Sequence, residues 1–329
     1  MSSSTGWPCV ALRHAELADR TTMHVGGRVE WLLEPRTPAE LSETWKLCHE
    51  RGLEPRILGG GANTVIDDGL LPGAVVTTER LRRVYRPTAE SGGEQELEFG
   101  GAPRGEMALP DPAEDPRLVA WAGCTLPALV RAARQLGYSG MEGLVGVPGQ
   151  VGGALAMNAG GKWGDMWDVV ERILLLEPDG RLSEVPRADC SPTYRDGGLG
   201  GRVAVGAVLR FEPRPKAEIQ ERMTTYLVEK NRSQPVTEWS SGCIFKNPDS
   251  EISAGRSAGG LVEDCGCKEL RRGDAEVSAL HGNFIVNRGK ATAGDVFSLM
   301  EEVQTRVAER TGIRLNFEVR RWRPDDTPY

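Results

Sequence analysis

The stretch Gly140-Met-Glu-Gly-Leu-Val-Gly-Val-Pro-Gly-Gln-Val-Gly-Gly-Ala-Leu-Ala-Met-Asn-Ala-Gly-Gly161 decides how the chain is read. Its glycines and alanines strip side-chain bulk from a long run of main chain. Such a backbone can lie flat against a large planar ligand and bring N–H groups to a pyrophosphate. A tight structural turn has the same composition, and composition alone leaves both readings open. A second run, Leu58-Gly-Gly-Gly-Ala-Asn63, follows an apolar segment and can cradle a phosphate in the same way. The common nucleotide signatures fail. Thr64 occupies the third glycine of the dinucleotide fingerprint, and around Gly161-Lys162 the positions a P-loop needs as Gly and Ser/Thr are Ala156 and Trp163.

Ahead of the first of these runs, residues 29–33 read as a strand. A helix starts behind Thr37, with Pro38 at its first position, Glu40 completing a capping box and Gly52 past its end. Residues 55–58 form a strand entering the first glycine run. A parallel arrangement recurs as strand 118–121, helix 126–136 closed by Gly137, and the second glycine run. Further strands are expected at 172–176, before a Pro178-Asp-Gly180 turn, and at 203–211. Residues 86–115 hold eight acidic residues, five glycines, four prolines and one aromatic, which reads as a solvated insertion. The composition changes at Glu212-Pro-Arg-Pro-Lys216, a plausible domain boundary. Beyond it the periodicity predicts helices over 217–230 and 294–310, the latter with Val296, Leu299, Val303 and Val307 on one face. A last strand over 313–320 alternates Ile313, Leu315, Phe317 and Val319 against a polar face that carries Glu318.

The 329 residues suit about two domains. Forty basic against 47 acidic residues leave a net charge of −7, so no bulk positive field draws nucleic acid or anionic membrane. The first 20 residues lack a basic start and apolar core, and no run of about 18 apolar residues occurs, which points to a cytoplasmic protein. Seven scattered cysteines argue against a disulfide framework. Cys265-Gly-Cys267 lacks the spacing and second pair of a zinc site, so no metal is expected. Gly255-Arg-Ser257-Ala-Gly259 matches a nucleophile elbow but is not preceded by an apolar strand. His14, His24, His49 and His281 show no metal-ligand spacing.

Seven motifs in order carry a resemblance: Met23-His-Val-Gly-Gly27; Leu58-Gly-Gly-Gly-Ala-Asn63; Gly146-Val-Pro-Gly-Gln-Val-Gly-Gly-Ala154 with Met157-Asn-Ala-Gly160; Tyr194-Arg-Asp196; Ser241-Gly-Cys-Ile-Phe-Lys-Asn-Pro248; His281-Gly-Asn-Phe-Ile-Val-Asn287; and Phe317-Glu-Val319. The chain from about Thr21 to Trp322 resembles the UDP-N-acetylenolpyruvoylglucosamine reductases (UDP-N-acetylmuramate dehydrogenases). The short interval from Arg195 to Cys243 is similar to the second type of that family, which lacks an extra tyrosine-bearing loop.

The resemblance implies an α+β protein. An FAD-binding domain of the vanillyl-alcohol oxidase and p-cresol methylhydroxylase type spans 1–214, with subdomains 21–73 and 74–214. A smaller α/β substrate domain spans 215–321, and 322–329 form a tail. FAD would be held by Gly59, Gly60, Gly61, Ala62, Asn63, Pro148, Gly149, Val151, Gly152, Gly153, Ala154, Asn158 and Ala159. The loop 59–63 holds no His or Cys, which favours non-covalent attachment. The implied reaction is NADPH-dependent reduction of UDP-N-acetylglucosamine enolpyruvate, through FAD, in peptidoglycan precursor synthesis. Tyr194, Arg232, Lys246, Asn247 and His281 would bind substrate. Arg195 and Glu318 would stabilise the charge that develops on the substrate carboxylate. The proton-donating serine of the pattern S-A-G-S-x-F-K-N-P falls on Cys243, a thiol that is mostly protonated at neutral pH. Another flavin oxidase of the same fold and a non-catalytic UDP-sugar or flavin binder are the alternatives.

Overall fold

The computed structural model describes residues 6–87, 94–96 and 115–325. The first unit is a four-stranded sheet in the spatial order Val10–Glu16, Arg28–Glu34, Leu70–Thr77, Pro55–Leu58. Its first pair is antiparallel and the others are parallel. Parallel neighbours require a crossover, which helix Pro38–Glu50 supplies. Thr37 Oγ1 accepts from Glu40 N at 3.1 Å, while Glu40 Oε2 accepts from Arg36 N at 2.8 Å, so the capping box closes one residue earlier than expected. The helix buries Leu41, Trp45 and Cys48.

The second unit is a six-stranded antiparallel sheet in the order Leu182–Pro186, Val170–Leu176, Val203–Arg210, Arg117–Trp121, Val84–Pro87, Glu94–Glu96. Helices Leu126–Leu136 and Val151–Met157 bury their apolar faces in its core. Gly137 ends the first of these with φ +76°, a left-handed conformation that glycine adopts without strain. The third unit pairs Ser240–Cys243, Phe284–Asn287, Ala275–Val277 and Arg271–Arg272 antiparallel. Helix Ala293–Thr311 covers it with Val296, Leu299, Val303 and Val307, the expected face. Among the described residues no helix is long and apolar enough to cross a membrane.

The structure moves four boundaries. The expected division between 73 and 74 cuts strand Leu70–Thr77, whose Ala74, Val75 and Val76 complete the first sheet, so the unit runs past it. Helix Lys216–Ser233 belongs to the second unit, because Ile219 and Met223 bury against the same core as Leu129 and Tyr138. The composition change at 212–216 therefore marks an exposed connection and not a domain edge. The solvated reading of 86–115 fails at its ends: Arg86 is buried in a strand, and Asp115 accepts from Arg117 Nε and Nη2 at 2.6 and 2.8 Å. Residues 88–93 and 97–114 lie outside the described residues.

The expected strand over 313–320 keeps its alternation, with Ile313, Leu315 and Val319 buried, but makes no continuous ladder. Lys246 N donates to Asn316 O at 2.8 Å and Glu318 N to Ile244 O at 2.8 Å. The chain then crosses back, and Arg320–Trp322 pairs parallel to Thr64–Ile66. Trp322 thus packs on the first unit and is no tail. Asp68 makes a second tie between the units: its carboxylate accepts from Ala293 N at 2.8 Å and Gly294 N at 3.0 Å, at the start of the last long helix.

Candidate active site

The two glycine runs touch. A Cβ on Gly60 would lie 3.0 Å from Gly149 Cα, and one on Gly61, where φ is +60°, would lie 2.2 Å from Arg20 O. Only glycine fits at 61, and a side chain at 60 would press on the Gly149 backbone. The longer run is not flat throughout: residues after 150 turn into helix Val151–Met157, because Val151 and Leu155 gain burial in the core on one side. The other side stays open, and nothing lies within 4 Å of the Cβ direction at Gly153. Gln150 Oε1 accepts from Thr78 Oγ1 at 3.0 Å, tying the long run to the end of the first sheet.

Between the runs lies a cavity of about 380 Å³. Gly59, Gly60, Gly61, Ala62, Asn63, Pro148, Gly149, Gly152, Gly153, Ala154 and Ala159 line it. Val151 and Asn158 do not. Val151 points into the core. Asn158 is a positioning residue, its Nδ2 donating to Thr193 O at 3.2 Å and its Oδ1 accepting from Trp167 N at 3.3 Å. That bond fixes the turn that presents Arg195.

Arg195, Cys243 and Glu318 all reach the cavity, from three separate segments. Arg195 sits at φ +57° in a turn closed by Thr193 N to Asp196 O at 2.8 Å, a strained conformation for a side chain of this size. Its Nε donates to Glu318 Oε1 at 2.7 Å, with both side chains largely out of solvent. Burial pushes the Glu318 carboxyl up from its ordinary value, and the Arg195 guanidinium only partly offsets this. Burial and then the Glu318 charge push the Cys243 thiol up to about 12, against smaller opposing effects from Arg195 and a bond to Asn283. The thiol is held protonated. Asn283 also clamps Phe245, with Oδ1 accepting from Phe245 N at 2.9 Å and Nδ2 donating to Phe245 O at 2.8 Å.

The expected substrate residues lie around the cavity and not in its lining. Tyr194 carries Arg195 over its ring at 5.1 Å and accepts from Asn247 N at 3.4 Å. Lys246 lies close enough for its charge to act on Glu318. His281 accepts from Asn283 N at 3.1 Å and packs edge-on against Phe284, a supporting role behind the Cys243 strand. Arg232 is exposed on the last turn of helix Lys216–Ser233. Sequence reasoning missed Thr78, Gln150, Arg202, Ser241 and Arg320, all in the cavity wall. Gln150 and Ser241 stand inside the quoted motifs; the others carry no local signal.

These residues fit a bound FAD. The open side of Gly153 leaves room for a flat group, Arg202 and Arg320 offer cations for a pyrophosphate, and Ile57, Leu126, Val147 and Val203 give an apolar wall. Ser241 Oγ is buried with no hydrogen-bond partner, as expected where a ligand supplies one.

Two glycine runs facing a cavity whose lining includes an Arg–Glu pair and a protonated thiol suit an FAD-dependent oxidoreductase. Residues 109–185 match the family described as FAD binding domain, and 234–322 match the family described as UDP-N-acetylenolpyruvoylglucosamine reductase, C-terminal domain. The chain is 38% identical over 311 residues to UDP-N-acetylenolpyruvoylglucosamine reductase of Desulfosudis oleivorans, covering 92% of this chain and 91% of that one. It is 35% identical over 314 residues to UDP-N-acetylenolpyruvoylglucosamine reductase 2 of Symbiobacterium thermophilum, covering 94% and 92%. The crystal structure of the Thermus caldophilus UDP-N-acetylenolpyruvylglucosamine reductase superposes with a TM-score of 0.73 at 32% identity, over 96% of this chain and 99% of that one. The chain belongs to the UDP-N-acetylenolpyruvoylglucosamine reductase family.

Proposed function

We propose that Arg195, Glu318 and Cys243 carry the second half of an NADPH-dependent reduction of UDP-N-acetylglucosamine enolpyruvate to UDP-N-acetylmuramate, a step of peptidoglycan precursor synthesis. The observation behind this reading is their convergence on one cavity from three distant segments. FAD, when bound, would supply the hydride chemistry that links NADPH to the β-carbon of the substrate double bond. Residues 59–63, 148–149 and 152–154, which line the cavity, would hold the cofactor, without a covalent link. Arg195, fixed by Glu318, presents a planar cation to the substrate carboxylate as negative charge moves onto it. Cys243 Sγ delivers its proton to the α-carbon, and solvent restores it. Tyr194, Lys246 and Asn247 flank the trio and suit the sugar nucleotide, and Arg232, exposed at the end of helix Lys216–Ser233, offers a further cation for it. We place the division between cofactor and substrate domains near residue 234, and the protein in the cytoplasm.

Anaerobic addition of NADPH to the purified yellow protein should bleach it, and the enolpyruvyl substrate should restore the colour with formation of UDP-N-acetylmuramate. A bleached protein that only dioxygen reoxidises would overturn the assignment.

A further inference from the structure

Helix Lys216–Ser233 lies directly on the turn before the cofactor-lining segment. A Cβ on Gly146 would meet Leu227 Cδ1 at 3.2 Å and Lys230 Cδ at 3.8 Å, and Gly146 itself has φ +75°. From this helix Lys230 Nζ donates to Gly143 O and to Val145 O, both at 2.8 Å. The ammonium also lies 5.7 Å from the centre of the Trp163 ring, which stacks on Tyr226 of the same helix at 4.8 Å. Its three N–H groups thus face two carbonyls and an aromatic ring. Two residues beyond the second carbonyl, Val147 enters the cavity wall, followed by Pro148, Gly149 and Gln150.

We propose that Lys230 is a positioning residue for the cofactor: its ammonium clamps the turn at Gly143 and Val145 and so holds 147–150 in the shape that binds FAD. The proposal rests on reading the cavity as the FAD site. The clamp works through charge-assisted bonds, which are about twice as strong as neutral ones. Among the described residues no carboxylate pairs with this ammonium. The neighbouring charges are engaged elsewhere: Lys162, over the same ring at 5.2 Å, pairs with Glu229 at 2.7 Å, and Glu142 faces Arg222 at 3.8 Å while accepting from Ser139 Oγ and Gly140 N. On the facing helix Arg134 is bonded to Gln220. Burial accordingly pushes Lys230 down to about 8, so the clamp weakens just above neutral pH.

The test is the FAD dissociation constant of apoprotein, read from flavin fluorescence between about pH 6.5 and 9.5, for the parent, Lys230→Arg and Lys230→Met, with melting of each apoprotein recorded. Parent affinity should hold below pH 7 and fall about 10-fold as pH passes 8. Lys230→Arg stays charged throughout and should bind with a flat profile. Lys230→Met should bind about 10-fold more weakly than the parent at pH 7, with no pH dependence of its own. A Lys230→Met variant as tight as the parent, or a Lys230→Arg variant that loses affinity with the parent's profile, overturns the clamp. If Lys230→Met does not fold, the contrast between parent and Lys230→Arg still decides. A parent that binds no FAD at pH 7 would overturn the reading of the cavity itself, a different result.

Discussion

Arg195 and Glu318, 123 positions apart in the chain, are joined by a 2.7 Å bond from Nε to Oε1. The bond engages Nε, and the turn that carries Arg195 is held by Asn158 from the long glycine run. Arg195→Ala and Glu318→Gln should each slow flavin reoxidation by the enolpyruvyl substrate by about 100-fold or more, since one lost donor to a developing charge costs that much. Flavin reduction by NADPH should change far less. Stopped-flow absorbance with each substrate in turn checks this, and equal losses in both halves would assign the pair to binding or folding.

The raised Glu318 carboxyl has a consequence for stability. The folded protein holds this proton to higher pH than the unfolded chain, whose glutamate titrates near about 4.3. The group's stabilising contribution is complete below that value and is lost as pH rises through the folded one. Glu318→Gln removes this dependence. Melting curves from pH 4 to 8 should therefore show the difference between variant and parent moving steadily in favour of glutamine as pH rises. A difference that stays constant would mean the carboxyl is not raised.

Local pattern made much of this protein legible. Thr37, Pro38 and Gly52 bound a helix, the alternation from Ile313 to Val319 survives as burial, and the two glycine runs meet at one cavity. What pattern could not carry was choice of partner. The few apolar residues of Lys216–Ser233 fit either neighbouring unit, and only the geometry put Ile219 and Met223 on the second. Likewise Thr78 meets Gln150 across 72 positions, a pairing that no window of sequence encodes. His281 stood in a matched motif, yet its ring supports Asn283 and does not line the cavity.

Asp68 reaches from the first unit to accept from Ala293 N and Gly294 N, donors that the first turn of a helix leaves unpaired. Asp68→Ala should cost about 1 kcal/mol and lower the melting temperature by roughly 1–3 °C. Because Thr292 and Asp295 form their own capping box, the helix itself should persist. Unchanged melting would show that the tie between units carries no stability.

Non-covalent FAD should leave the chain on denaturation. Acid or heat should release the yellow colour into the supernatant from the parent and from Cys243→Ala alike, since the loop 59–63 offers no side chain for attachment. Colour retained by the precipitate, and lost only in the Cys243 variant, would identify that thiol as an attachment point.

Cys243 provides the sharpest test. Burial and the neighbouring Glu318 charge hold its thiol protonated up to about 12, so at neutral pH it is poised to give a proton and not to act as a nucleophile. It should resist alkylation by iodoacetamide at pH 7.5. Cys243→Ser keeps a protic group at nearly the same place and should retain substantial reoxidation by substrate. Cys243→Ala should lose about 100-fold or more, the usual contribution of a positioned proton donor, while its NADPH half-reaction stays near the parent rate. Ser241, two residues away in the same wall with an unpartnered hydroxyl, is the internal control: if it delivers the proton instead, Cys243→Ala will reoxidise at the parent rate and Ser241→Ala will not. Stopped-flow absorbance on the three variants beside the parent separates the two donors.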